Sequence, residues 1–341
     1  MIQFIPSDYD QTGWDDRIVR FDGLSLLQKW AWGAAKAEAG VWAVERGLLQ
    51  EENGRILGAA QVMIRRLPWI GGGLGWIARG PLSAPGETER YAALLSALRR
   101  HYVEDRHLYL RISPALPAGL LPDSRLEAAG FRRAGISGWA SAVVDLDPPE
   151  DVLRRRLAQK WRNGLNKAER ADVLVEVKAG GDDFTGFLDS YSAFVAGRGF
   201  STSVTGDVLA ALQRLLPDTG KMKWWRCTQH GEQLGSALII RYGDRAEYLA
   251  GTLTEAGRRY NAGQILLWRA LLAEKQNGAR WFDLGGMDPD LTPQGVLAFK
   301  AGIGGTPYRL ESEIEADDAG LRSRLVRWRV ARARAAAGAT L

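Results

Sequence analysis

The chain has one cysteine, Cys227, so it cannot form an internal disulfide or a cysteine-based metal cluster. It has three histidines, His101, His107 and His230, and no carboxylate–histidine set at zinc-ligand spacing, which argues against metal catalysis. It also lacks a long apolar run. No window approaches the roughly 18 residues needed to cross a bilayer. The first residues, MIQFIPSDYDQTGWDD, are acidic and have no basic segment leading into an apolar one, so no secretory signal is expected. A cytoplasmic protein is expected. What remains is ordinary for a soluble globular chain: 46% hydrophobic and 25% charged residues over 341 positions, enough for two cores. The net charge of +5 favours an anionic partner, and thirteen tryptophans point to large aromatic clusters or broad binding surfaces.

The hydrophobic pattern predicts a helix over 24–40, with Leu24, Leu27, Ala31 and Ala35 on one face and Gly40 as its stop. Strands are predicted at 41–49 and 56–65, a flexible glycine turn at 71–75, and a strand at 76–80. A helix at 88–106, a strand at 107–112, a short helix at 124–131 and a strand at 139–146 complete the first half. The sequence DLDPPE, 145–150, then marks a boundary, and a single basic helix is predicted over 150–171. Leu153, Leu157, Trp161, Leu165 and Ala168 form its apolar stripe. Arg156, Lys160, Lys167 and Arg170 line a neighbouring face, a candidate surface for nucleic-acid phosphates.

The second half repeats the first. Gly54-Arg-Ile-Leu-Gly-Ala-Ala60 resembles Gly231-Glu-Gln-Leu-Gly-Ser-Ala237, and in both a turn leads into two strands, a helix and a closing strand. Self-similarity on this scale suggests two copies of one α/β unit with mixed sheets, and two such units would place a cleft between them. A last helix, from about Ala319, carries six arginines beside a seam of Leu321, Leu325 and Trp328. Two readings stand: a solvated helix docked by that seam, or a helix whose arginines contact nucleic acid or anionic lipid at a peripheral membrane surface.

The stretch 281–308 draws these features together. A short apolar strand ends at Gly285 and Gly286, and an acidic loop follows with Asp288, Asp290 and Pro293. An apolar run then leads through Phe299 to Lys300, and Gly302, Gly304 and Gly305 come next. Glycines at such places permit sharp turns or close approach to a ligand, and a lysine there is placed to hold developing negative charge. An ordinary surface lysine fits the spacing equally well.

Four segments together resemble the Fem family of peptidoglycan interpeptide-bridge aminoacyltransferases. They are Leu27-Gln-Lys-Trp-Ala-Trp32 with Lys36, Lys160-Trp-Arg-Asn-Gly-Leu-Asn-Lys-Ala-Glu-Arg170, Phe282-Asp-Leu-Gly-Gly286 and Phe299-Lys-Ala-Gly-Ile-Gly-Gly305. The resemblance runs over nearly the whole chain and implies two tandem acetyltransferase-like (GNAT) domains, expected at 1–147 and 148–317. The helix 318–341 would pack back on the first domain. No charged heptad stretch provides the long helical arm of many members, so the compact form is implied.

The implied reaction moves an amino acid from aminoacyl-tRNA to an amine on the stem peptide of a precursor, lipid II or UDP-MurNAc-pentapeptide, with no cofactor and no metal. The implied protein is a monomer in the cytoplasm or at the inner face of the membrane. By resemblance, Lys300 would stabilise the oxyanion and Phe299 would shape the site. Lys36 would meet precursor phosphates, with Trp32 beside it and Tyr248 lining the cleft. Arg198 is the nearest guanidinium to the Gly199-Phe200 pair, after which the family often carries an arginine. Arg111-Ile-Ser-Pro114 has Ser113 where some relatives have an acid, which removes the obvious carboxylate base.

Two other readings fit the residues. One is an acyl-CoA N-acyltransferase, although Asn261 replaces the first glycine of the expected phosphate loop in Arg258-Arg-Tyr-Asn-Ala-Gly263. The other is a non-catalytic RNA-binding protein using the two basic helices, which leaves 281–305 unexplained.

Overall fold

The computed structural model of the chain describes residues 1–40, 42–67, 72–179, 183–198 and 204–336. Seven strands come first: β1 (Ile2–Pro6), β2 (Ala43–Glu51), β3 (Ile56–Leu67), β4 (Gly72–Ile77), β5 (Leu82–Ser83), β6 (Leu108–Ile112) and β7 (Arg132–Arg133). Seven more follow: β8 (Ala140–Asp145), β9 (Leu174–Ala179), β10 (Lys223–Gln229), β11 (Glu232–Tyr242), β12 (Arg245–Leu253), β13 (Trp281–Asp283) and β14 (Thr306–Arg309). A last strand is β15 (Ile314–Ala316). They form two mixed sheets, ordered β1-β2-β3-β4-β6-β15-β7, with β5 on β3, and β14-β8-β13-β12-β11-β10-β9.

The internal repeat is visible in the pairing. In the first sheet β2, β3 and β4 are antiparallel, the helix Tyr91–Arg99 crosses over, and β6 returns parallel to β4. In the second, β10, β11 and β12 are antiparallel, the helix Ala262–Gln276 crosses over, and β13 returns parallel to β12. Gly54 and Gly231, the matched hairpin glycines, both have positive φ, 83° and 86°, a conformation glycine adopts without strain. Each sheet has its own core. One gathers Leu57, Leu94, Leu98, Leu110 and their neighbours, the other Leu165, Trp268, Phe282 and theirs.

The chain divides into Met1–Trp139, Ser201–Leu215 and Arg309–Leu341 on one side, and Ala140–Phe200 with Leu216–Tyr308 on the other. The boundary expected at 147 therefore lies between Trp139 and Ala140, and the one expected at 317 lies between Tyr308 and Arg309. The cause is strand exchange. The strand predicted at 139–146 is β8, which pairs with β13 of the second sheet (Val144 opposite Phe282). β15 pairs with β6 of the first sheet (Ile314 opposite Ile112).

Three local expectations also change. The glycines at 72–75 are strand, not turn, because β4 pairs there with β3 and β6. The helix predicted over 24–40 is a short turn, Leu26–Gln28, followed by the helix Trp30–Glu38. The helix predicted over 150–171 is two helices, Glu150–Arg156 and Gln159–Arg170, broken where Leu157 turns extended so that the Ala158 N–H donates to the Gly302 carbonyl at 2.9 Å.

Candidate active site

The second unit builds its site on the end of β13. Asp283, 4% exposed, accepts from the Gly285 N–H at 2.8 Å on Oδ1 and from the Tyr308 hydroxyl at 2.6 Å on Oδ2. The Ser141 hydroxyl on β8 stands 2.6 Å from both Asp283 Oδ1 and the Gly285 carbonyl oxygen. Gly285 has φ +69°, and a Cβ on it would meet the Tyr248 carbonyl oxygen at 2.5 Å. Only glycine fits there, so the turn keeps one shape, in which the Gly286 carbonyl accepts from Lys300.

Lys300 ends the helix Gln294–Ala301 and reaches this turn. Its Nζ donates to the Gly286 carbonyl at 2.9 Å and lies 5.3 Å from the centre of the Tyr248 ring. It is 7% exposed, so the ordinary-surface-lysine reading falls. Burial drives its pKa from 10.5 down to about 8, against the raising effect of Asp283 and then Glu247. At neutral pH it remains an ammonium, with N–H donors beyond the one used on Gly286. Burial likewise raises the Tyr248 phenol to about 12, so this ring stays neutral under the ammonium. A register shift where Ile239 faces Tyr248 puts a bulge in β12 beside this ring.

Phe299 packs between Trp161 and the start of the crossover helix. Its ring centre is 6.0 Å from that of Trp161, and a Cβ on Gly263 would touch it at 3.4 Å. The later glycines serve packing, not ligand approach. A Cβ on Gly302 would meet Trp161 at 2.6 Å, and one on Gly304 would meet the Arg156 carbonyl at 2.5 Å.

Of the four basic residues expected on one surface, the structure brings Lys160 and Lys167 together with Gln159, Asn163, Gly164 and Asn261 around a depression of about 580 Å³. Arg156 and Arg170 are exposed but do not line it. The depression opens at the N-terminus of the 15-residue helix Ala262–Gln276, the positive end of the helix dipole, which favours anions. Asn261 caps that helix with φ 55° and ψ 35°, the left-handed conformation that glycine would supply and that asparagine tolerates. The asparagine in the phosphate-loop position thus preserves the backbone shape.

In the first unit, Lys36 lies half-buried in the last turn of Trp30–Glu38, and desolvation lowers its pKa. Trp32 is 4% exposed, so it belongs to the core and offers no ring face for a substrate, contrary to expectation. Ser113 is also buried, beside the buried Arg111–Glu313 ion pair. The side chain of Arg198 lies outside the described residues. Sequence reasoning missed Asp283, Ser141, Glu247 and Tyr308 as site residues. Asp283 stood in a quoted motif with Gly285, but its other partners, Ser141 and Tyr308, come from strands distant in sequence, and no local pattern announces them.

This fold and site define an acyl-transferring enzyme built from two GNAT-like units. Residues 154–301 match the family described as Acetyltransferase (GNAT) domain. Over 95% of its length the chain shares the fold of the crystal structure of FemX, all of which is covered, with a TM-score of 0.79 at 16% identity. A tandem GNAT protein from the clavulanic acid biosynthesis pathway matches at TM-score 0.54 and 14% identity, over 94% of this chain and 99% of that one. L-PGS from Bacillus licheniformis matches at 0.53 and 14%, over 95% and 96%. No curated protein sequence matches the chain.

Proposed function

We propose that the protein is an aminoacyl-tRNA-dependent aminoacyltransferase that adds an amino acid to the stem peptide of a peptidoglycan precursor. The observation that carries the reading is the buried Lys300 ammonium, fixed by the Gly286 carbonyl and the Tyr248 ring at the glycine turn after β13. Attack of an amine on the tRNA ester forms a bond to the carbonyl carbon and leaves a negative oxygen. A pre-aimed cation in a low-dielectric site stabilises that oxygen without reorganisation. Collapse of the intermediate breaks the ester bond and returns the ribose hydroxyl. The neighbouring carboxylates are poor candidates for a general base. Asp283 is occupied by three groups and Glu247 accepts from the Tyr242 hydroxyl at 2.7 Å. The proton therefore leaves through the substrates themselves, with the departing ribose oxygen as its acceptor.

The donor would lie against the Gln159–Arg170 helix, with Lys160 and Lys167 on phosphates. In the first unit Lys36 is the candidate contact for the precursor diphosphate, lipid-linked or nucleotide-linked. The left-handed Asn261 at a helix N-terminus also supports a second reading, an acyl-CoA-dependent acyltransferase that places a pyrophosphate there. Mixing the protein with charged tRNA and precursor separates the two. Precursor-dependent release of deacylated tRNA is expected, and release that ignores the precursor, or none at all, refutes the proposal.

A further inference from the structure

The terminal helix Leu321–Ala336 packs the other way round from its expected docking. The residues that face the first sheet are Ser323 and Val326, each 1% exposed, with Val326 over Gly72 of β4. The seam expected to dock points outward instead. Leu321 is 82%, Leu325 41% and Trp328 54% exposed, and with Arg332 they recur every three or four residues as one stripe. The Arg332 guanidinium lies 5.3 Å from the centre of the Trp328 ring. By helical geometry Arg324 flanks the stripe on one side and Arg329 on the other. Among the described residues neither has an acidic partner, whereas Arg327, turned towards the body, lies within 4 Å of Glu315 and Asp317. Two more exposed arginines, Arg65 and Arg66, end β3, which pairs with the strand the helix covers.

An outward apolar stripe with arginines on both edges is the pattern of a helix lying in the plane of a bilayer interface. The leucines and the indole enter the boundary layer and the guanidiniums meet lipid phosphates. Nucleic acid would use the arginines but gain nothing from Leu321 and Leu325. We propose that this helix docks the protein on an anionic membrane surface through the stripe Leu321, Leu325 and Trp328. The described helices include none long and apolar enough to cross a membrane, so the contact is peripheral. It does not depend on the identity of the acyl donor or acceptor, so its failure leaves the catalytic proposal standing.

The test is co-sedimentation of the full chain with vesicles of phosphatidylglycerol and phosphatidylcholine, or of phosphatidylcholine alone. Wild type is expected to pellet with the anionic vesicles only. Arg324→Gln with Arg329→Gln should weaken this by about fivefold per arginine. Leu325→Ser with Trp328→Ser should weaken it by about tenfold or more through lost apolar burial, with tRNA affinity unchanged. These side chains are exposed, so the melting temperature should hold, and Trp328→Ser alone serves if the double variant melts early. The proposal is overturned if wild type ignores anionic vesicles or if the serine variant pellets as well as wild type. It is equally overturned if the serine variant instead loses tRNA binding, which would mark an RNA surface, or loses a self-association seen in wild type.

Discussion

Replacing Lys300 by methionine separates catalysis from stability. The ammonium pKa falls from 10.5 to about 8 on folding because burial opposes the charge. At about 1.4 kcal/mol per pH unit, that drop is an unfavourable term of about 3 kcal/mol in the folded state. The unfolded lysine keeps its proton up to about 10.5 and the folded one releases it near 8. Between those values the unfolded chain holds more protons, so stability rises with pH there, and below 8 the whole penalty is present. Methionine has nearly the same reach and no charge. It loses one charge-assisted hydrogen bond to Gly286, about 2 kcal/mol, and removes the penalty. Lys300→Met should therefore be more stable than wild type at pH 7 by about 1 kcal/mol, raising the melting temperature by about 2–4 °C. The gap should close between pH 8 and 10.5. Turnover should fall by about 10²–10³-fold with precursor binding little changed. Thermal melts across pH, read beside single-turnover rates, check both halves. A variant that melts at or below wild type at pH 7 and turns over normally would refute the buried-ammonium account.

The other predictions follow from the same geometry. Wild-type turnover should decline as pH rises through about 8, where Lys300 gives up its proton, and the descending limb should vanish in Lys300→Met. Lys160→Ala and Lys167→Ala should each weaken tRNA binding and flatten its log–log salt slope by about 0.7–0.9, as measured by filter binding, while Arg170→Ala, away from the depression, should do less. Asn261→Gly should be neutral. Asn261→Val, forced into left-handed φ, should cost about 1–2 kcal/mol in stability and raise the donor KM. Lys36→Ala should raise the KM for intact precursor by about tenfold and have no effect on a bare stem peptide; equal impairment on both would make Lys36 structural.

Much of this fold is legible in the sequence because the repeat is local. Gly54 and Gly231 sit at matched hairpins, and the closing strands at 109–112 and 281–284 are β6 and β13 with one residue's difference at their ends. The motif singles out Lys300 and Phe299 as candidates, and the structure adds what spacing could not, that Lys300 is buried and Phe299 packs half-buried against Trp161. The exchange of β8 and β15 is invisible in the sequence. A buried strand's composition says that it pairs, not which of two similar sheets receives it. The break at Leu157 is hidden for a similar reason, since the apolar stripe continues through it and the deciding bond comes from Gly302. The glycines after Lys300 show the limit of reading glycine as a sign of ligand approach. Trp161 and the Arg156 backbone fill the space their side chains would need. On the last helix, a polar serine, Ser323, whose hydroxyl donates to Asp318, and a single valine, Val326, take the buried face, and the larger Leu/Trp stripe is left outside.

The central claim is that the acyl group comes from tRNA and ends on a peptidoglycan precursor amine. The most direct measurement is a donor competition read by mass spectrometry. The protein is given the precursor, a mixture of aminoacyl-tRNAs and acetyl-CoA together, and the modified precursor is weighed. The account predicts a precursor heavier by one amino-acid residue, formed in step with deacylated tRNA, and lost with Lys300→Met. A precursor heavier by an acetyl group, with the charged tRNAs untouched, would contradict it.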